Sequence, residues 1–174
     1  MVVNDTVVSD TVVSESELEA QAAELGAALL RQGWLLASAE SCTGGWLAQT
    51  VTSVAGSSAW FDRGFVTYSH AAKLDMLGVR SVTLMTFGAV SEETAREMAQ
   101  GALAHSAAQV AIAITGIAGP SGGSAEKPVG MVCFAWAASG LPCASATQYF
   151  LGDRRQIRAA SVDFALRQLQ ALVP

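Results

Sequence analysis

The sequence predicts an α/β fold in which a mixed sheet is covered by helices on both faces. Three observations predict it. Through the first two thirds of the chain, segments with helical spacing of apolar residues alternate with short apolar runs. The last two runs, 129–138 and 144–151, flank Gly140-Leu141-Pro142 and read as a hairpin, so at least one pair is antiparallel. Finally, 174 residues at 51% hydrophobic and 14% charged can bury one sizeable core and are too few to argue for two.

Residues 1–14 contain a tandem repeat, Asp5-Thr6-Val7-Val8-Ser9 followed by Asp10-Thr11-Val12-Val13-Ser14, with no turn between the copies. Residues 1–15 are therefore expected to form a flexible tail, and 16–174 a single domain. From Ser16 a first helix places Leu18, Ala22, Leu25, Ala28 and Leu29 on one face as far as about Arg31, with Gly33 as its stop. The apolar run 34–39 reads as a buried strand, and 45–53 resumes helical spacing before Gly56-Ser57-Ser58. A strand over 61–69 and a short helix over 70–77 follow. Ser91-Glu92-Glu93-Thr94 places a cap before two acidic residues and opens a helix that runs to about Ser106. Residues 110–115 form another buried strand, which empties into the glycine-rich loop 116–124. After the hairpin, Asp153 caps a last helix over 154–172. Ligands of open α/β sheets sit at the carboxyl ends of strands, so the loops after 34–39, 61–69 and 110–115 should converge on one crevice.

The stretch that organises this crevice is Ser38-Ala39-Glu40-Ser41-Cys42-Thr43-Gly44-Gly45-Trp46, where the apolar run gives way to small, nucleophilic side chains. A strand-to-helix turn exposes backbone amides that lack partners and carry the positive end of the helix dipole. A hydroxyl or thiol placed there has oxyanion donors beside it, as acyl transfer requires. The alternative is that Ser41 or Thr43 is an N-cap and the glycines allow close packing.

The chain holds two lysines, Lys73 and Lys127. Lys73, just after Tyr68-Ser69, could serve as a base if a dry crevice strips its proton, or lie solvated on the surface. Lys127, before Pro128, reads as solvent-facing or ligand-contacting. Arg154, Arg155 and Arg158 open the last helix, where cations oppose the dipole. Arg154 and Arg158 share a face and could bind a phosphate or carboxylate with the helix amides, or pair with carboxylates of the protein. His105 reads as structural. His70 could touch a ligand, but no Ser, His and Asp pattern of a triad is present.

Composition excludes other classes. A net charge of -5 and a pI near 4.9 argue against nucleic acid as a partner. No run approaches the roughly 18 apolar residues of a membrane span, and no leader pattern opens the chain, so a cytoplasmic protein is expected. Cys42, Cys133 and Cys143 suggest neither a disulfide framework nor a zinc site.

Six motifs in order, A-E-S-C-T-G-G (39–45), A-G-S-S-A-W-F-D-R-G-F-V-T-Y-S (55–69), G-A-V-S (88–91), T-G-I-A-G-P-S-G-G (115–123), K-P-V-G (127–130) and G-D-R (152–154), resemble the CinA C-terminal-domain family from about Leu18 to Leu172. The resemblance implies a three-layer α/β/α sandwich on a mixed, mostly parallel sheet. It also implies the activity of the family's stand-alone members, deamidation of nicotinamide mononucleotide to nicotinate mononucleotide and ammonia in pyridine-nucleotide recycling. At this length the chain is expected to correspond to that stand-alone form.

By resemblance Ser41 is the nucleophile, Lys73 its base and Tyr68 their neighbour. Thr43, Gly44, Gly45, Thr115, Gly116, Gly119, Arg154 and Arg158 are expected around the nucleotide. His70 stands where the family often has asparagine. The chemistry implied needs no cofactor and no metal, and its partner is a small-molecule nucleotide; the sequence is compatible with a homo-oligomer. Two other readings are a Cys42 nucleophile working with Glu40 and Lys73, and a regulatory module that binds a mononucleotide without chemistry.

Overall fold

The structure, a computed structural model, describes residues 13–174. Its elements in chain order are α1 (Glu15–Gln32), β1 (Leu36–Glu40), α2 (Trp46–Ser53), a 3-10 turn (Ser57–Ala59), β2 (Phe61–Val66), α3 (His70–Leu77), α4 (Ser81–Phe87), α5 (Glu92–Ala104), β3 (Val110–Gly116), β4 (Met131–Ala138), β5 (Ala144–Tyr149) and α6 (Arg154–Leu172). The sheet order is β2-β1-β3-β4-β5. β1 pairs in parallel with both β2 and β3, whereas β3–β4 and β4–β5 are antiparallel. Four strands therefore point one way and only β4 opposes them, although the pairs divide evenly between the two kinds.

The two faces of the sheet differ in the size of what they offer. On one, Leu36, Ile112, Ile114 and Phe134 meet Leu18, Leu25 and Leu29 of α1, Leu47 and Val51 of α2, and Ile157 and Leu166 of α6. Each such side chain contributes about 1.5–3 kcal/mol when withdrawn from water. On the other, Ala37, Ala39, Ala111, Ala113 and Ala135 receive α5 through Ala95, Met98, Ala99 and Ala102, with Leu77 of α3 and Leu84 of α4 at the margin. The alternation of large and small residues along β3 is the period-two signature of a strand buried on both sides. This is the three-layer sandwich expected.

Most elements fall where the sequence predicts them, with instructive exceptions. β1 begins at Leu36 rather than at residue 34 and extends to Glu40. β2 stops at Val66 rather than 69: its partner β1 ends opposite it at Glu40, the Thr67 amide makes the last bond of the pair, to the Glu40 carbonyl (2.8 Å), and Ser69 becomes the N-cap of α3. α4 has no counterpart in the sequence reading. It is a short helix with no side-chain cap and with Val82 and Met85 exposed, so it lacks an apolar stripe; Glu97 of α5 ties it down through the Arg80 amide (2.8 Å) and the Thr83 hydroxyl (2.7 Å). The expected tail lies outside the described residues except at its end, where Ser14 caps α1 in a capping box with Glu17 and Glu15 is already helical. No helix among the described residues is long and apolar enough to cross a membrane.

Candidate active site

Ser41 stands at the carboxyl end of β1, where its amide donates to the Ile114 carbonyl of β3 (2.9 Å). The chain then folds back, with the Gly44 amide donating to the Ser41 carbonyl (3.0 Å), and enters α2 through Gly44 and Gly45 at φ +61° and +94°. Side-chain-bearing residues avoid that region, which is why two glycines follow the nucleophilic stretch.

Lys73 comes from α3 and is 1% exposed. Its Nζ donates to Ser41 Oγ (3.0 Å) and to the Thr67 carbonyl (2.7 Å). Burial, which penalises the charged amine, pulls its pKa down from 10.5 to about 8. The solvated-surface alternative for Lys73 is thereby excluded. Cys42, next to Ser41, is 6% exposed, and desolvation pushes its thiol up to about 12, the reverse of what a thiolate nucleophile needs.

The amides of the α2 N-terminus are not open, contrary to expectation. Glu40, 1% exposed, fills them: its carboxylate accepts from the amides of Gly45 (3.1 Å), Leu47 (3.0 Å) and Ala48 (2.9 Å) and from the Thr43 hydroxyl (2.7 Å). With the Gly44 amide used inside the turn and Thr43 fully buried, the Cys42 amide is left beside Ser41.

A second group of residues lies over the amino end of α6. Arg154 donates to the Gly119 carbonyl (2.9 Å) and to the Tyr68 hydroxyl (3.0 Å), joining the loop after β3 to the segment after β2. Arg158 donates to the Thr43 carbonyl (2.7 Å) and lies over the Trp46 ring at 5.2 Å. Among the described residues neither has a carboxylate within ion-pair distance, whereas Arg155 pairs with Glu15 (2.9 Å). Asp153, the carboxylate next to Arg154 in the chain, caps α6 in a capping box with Gln156.

Ser41, Tyr68, Lys73 and Gly119 thus follow the carboxyl ends of β1, β2 and β3 in a chain whose residues 18–173 match the model of the CinA C-terminal domain. The chain belongs to that family. It is 53% identical over 150 residues to the nicotinamide-nucleotide amidohydrolase PncC of Enterobacter agglomerans, covering 86% of this chain and 92% of the relative. The PncC of Escherichia coli K12 is 51% identical over 146 residues, covering 84% and 88%. Among solved structures, the competence/damage inducible protein CihA of Agrobacterium tumefaciens superposes with a TM-score of 0.88 at 48% identity over 94% of this chain and 99% of that one. A CinA superfamily protein of Escherichia coli does so with a TM-score of 0.87 at 39% identity, over 97% and 96%.

In this CinA domain the residues expected around the site divide into two sets. Ser41 and Lys73 touch each other, and Tyr68, Gly119 and Arg154 form a separate hydrogen-bonded group. Tyr68 is 62% exposed; its hydroxyl accepts from Arg154, and no hydrogen bond joins it to Ser41 or Lys73. Thr43 and Thr115 are buried, and their hydroxyls donate to the Glu40 carboxylate and to the Ala89 carbonyl (2.8 Å). Gly116 keeps β3 against β4, since a Cβ there would meet Val132 and the Met131 carbonyl. Arg158 is held by the turn and its ring, behind Gly44. Lys127 straps the glycine-rich loop to the α4–α5 connection through the carbonyls of Phe87 (2.5 Å) and Val90 (2.7 Å). His70 and His105 are exposed. The sequence reading missed the buried carboxylate of Glu40 as an organising group. Its one signal was a charge closing an apolar strand, which a buried position has to compensate.

Proposed function

We propose that this CinA domain hydrolyses the carboxamide of nicotinamide mononucleotide to nicotinate mononucleotide and ammonia, with Ser41 as nucleophile and Lys73 as its base. The observation that carries the reading is the 3.0 Å contact between a serine hydroxyl and a lysine amine that burial has drawn down to about 8. Neutral Lys73 takes the Ser41 proton as Oγ bonds to the carboxamide carbon. The Cys42 amide is the donor nearest the developing oxyanion, since it follows the nucleophile directly. Collapse of the tetrahedral intermediate breaks the C–N bond, and Lys73 returns the proton to the departing ammonia. Water, deprotonated by Lys73, then attacks the nicotinoyl ester and frees Ser41. No cofactor or metal enters these steps. Arg154, a cation without a carboxylate partner among the described residues, is the residue suited to the substrate phosphate, which would exchange for the Tyr68 and Gly119 bonds. The names of the relatives support this substrate, and recycling of pyridine nucleotides in the cytoplasm is the setting it implies.

The test is ammonia release from nicotinamide mononucleotide by the purified protein, without added metal. Ser41→Ala should abolish it, while Cys42→Ser should leave most of it. The opposite pattern would make Cys42 the nucleophile, and binding of the mononucleotide without ammonia release would make the domain a regulatory module.

A further inference from the structure

Glu40 takes no part in the proton transfers assigned to Ser41 and Lys73, yet it connects the elements that carry them. Its carboxylate accepts four hydrogen bonds, one from the Thr43 hydroxyl in the turn and three from the amides of Gly45, Leu47 and Ala48 as the chain enters α2. Its carbonyl accepts the Thr67 amide (2.8 Å), and the carbonyl of Thr67 in turn holds Lys73 Nζ (2.7 Å). One residue thus fixes the serine turn through its side chain and the lysine through its main chain. Burying a carboxylate is unfavourable unless it is fully hydrogen-bonded, and a serine would cap α2 without burying charge. All four partners here are donors. An ionised carboxylate is acceptor-only, whereas a glutamine would turn its own N–H groups against them.

We propose that Glu40 is a positioning residue for the Ser41–Lys73 pair, its carboxylate holding turn 41–45 so that Ser41 Oγ stays within hydrogen-bond distance of Lys73 Nζ. The proposal rests on the reading of Ser41 and Lys73 as the reacting pair. It also accounts for an α2 N-terminus closed to the substrate: the carboxylate neutralises the end of the helix that would otherwise attract an anion, and leaves the phosphate to Arg154.

The test is Glu40→Gln in the full chain, read in two ways. With nicotinamide mononucleotide, kcat should fall about 10²-fold, the scale expected for a misplaced reacting group, while KM changes little because Glu40 touches no substrate. In parallel, the chain is labelled with ¹³Cε-lysine; it has two lysines, so the Lys73 resonance is assigned by its loss in Lys73→Met. In Glu40→Gln its titration midpoint should move up toward that of an ordinary lysine as the turn loosens and water reaches the amine. A lower Tm with kcat and the Lys73 midpoint both unchanged would reduce Glu40 to a helix cap and overturn the proposal. If Glu40→Gln does not fold, Thr43→Val, which removes one of the four bonds, should lower kcat at constant KM; an unchanged kcat there overturns it as well. The NMR arm needs no substrate. A wild-type protein that releases no ammonia would therefore sink the functional reading while leaving the midpoint in Glu40→Gln to decide this one.

Discussion

Lys73 is where the proposed chemistry and the stability of the molecule meet. With its amine drawn down to about 8, kcat should rise about tenfold per pH unit below that value and level off above it, as the neutral form takes over. Lys73→Met should be inactive. Lys73→Arg should be equally so, because a guanidinium keeps its proton. The same shift fixes a stability trend. Between about 8 and 10.5 the unfolded lysine still holds a proton that the folded one has released, so raising pH in that window favours the folded state. Below 8 both forms are protonated and the cost of the buried charge is complete. Wild type should therefore gain on Lys73→Met by up to ~1.4 kcal/mol per pH unit across the window, seen as a changing difference in Tm. At Arg154 the expectation is in binding: Arg154→Ala should raise KM for the mononucleotide by the equivalent of ~1.5–3 kcal/mol and leave the unphosphorylated riboside unaffected. Lys73 was legible as a candidate in the sequence because the chain has only two lysines, and Ser41 because its motif, A-E-S-C-T-G-G, resembles that of the family. The roles of Glu40, Thr43 and Thr115 were not, since the direction in which a carboxylate or hydroxyl bonds depends on backbone amides and carbonyls whose orientation no spacing rule records.

Helices with strong local signals were legible almost to the residue: α1 between Ser14 and Gly33, α5 after Ser91, and α6 after Asp153. α4 was not, because its stability comes from Glu97 on another element rather than from its own pattern. Contact between elements carries a prediction as well. Gly101 of α5 faces the end of α3 so closely that a Cβ there would lie inside the Leu77 carbonyl, which is main chain and cannot swing aside. Gly101→Ala should push α3 outward and cost about 1–3 kcal/mol, the usual penalty of overpacking. Since Lys73 lies one turn before Leu77, kcat should fall as well. A Tm loss with full kcat would mean that the displacement stays local to Gly101.

At the level of the whole molecule, the sequence anticipated the gathering of strand ends, because parallel strands joined by helices bring their carboxyl ends to one side of a sheet. The order of the strands was not readable: the pattern of apolar residues marks each strand as buried but does not record that β3 lies beside β1 and that β4 runs opposite to the other four. This arrangement places Ser41 and Lys73 in consecutive strand–helix units, 32 residues apart along the chain. Their meeting requires β2 to have joined β1 and α3 to have docked behind it. The pair is in effect an interlock. A chain still emerging from the ribosome exposes the serine before the lysine exists, and a chain nicked between the two units parts them again, so on the proposed mechanism the hydroxyl would be armed only in a molecule whose sheet is assembled. A refolding experiment should accordingly recover ammonia release no earlier than the native tryptophan fluorescence.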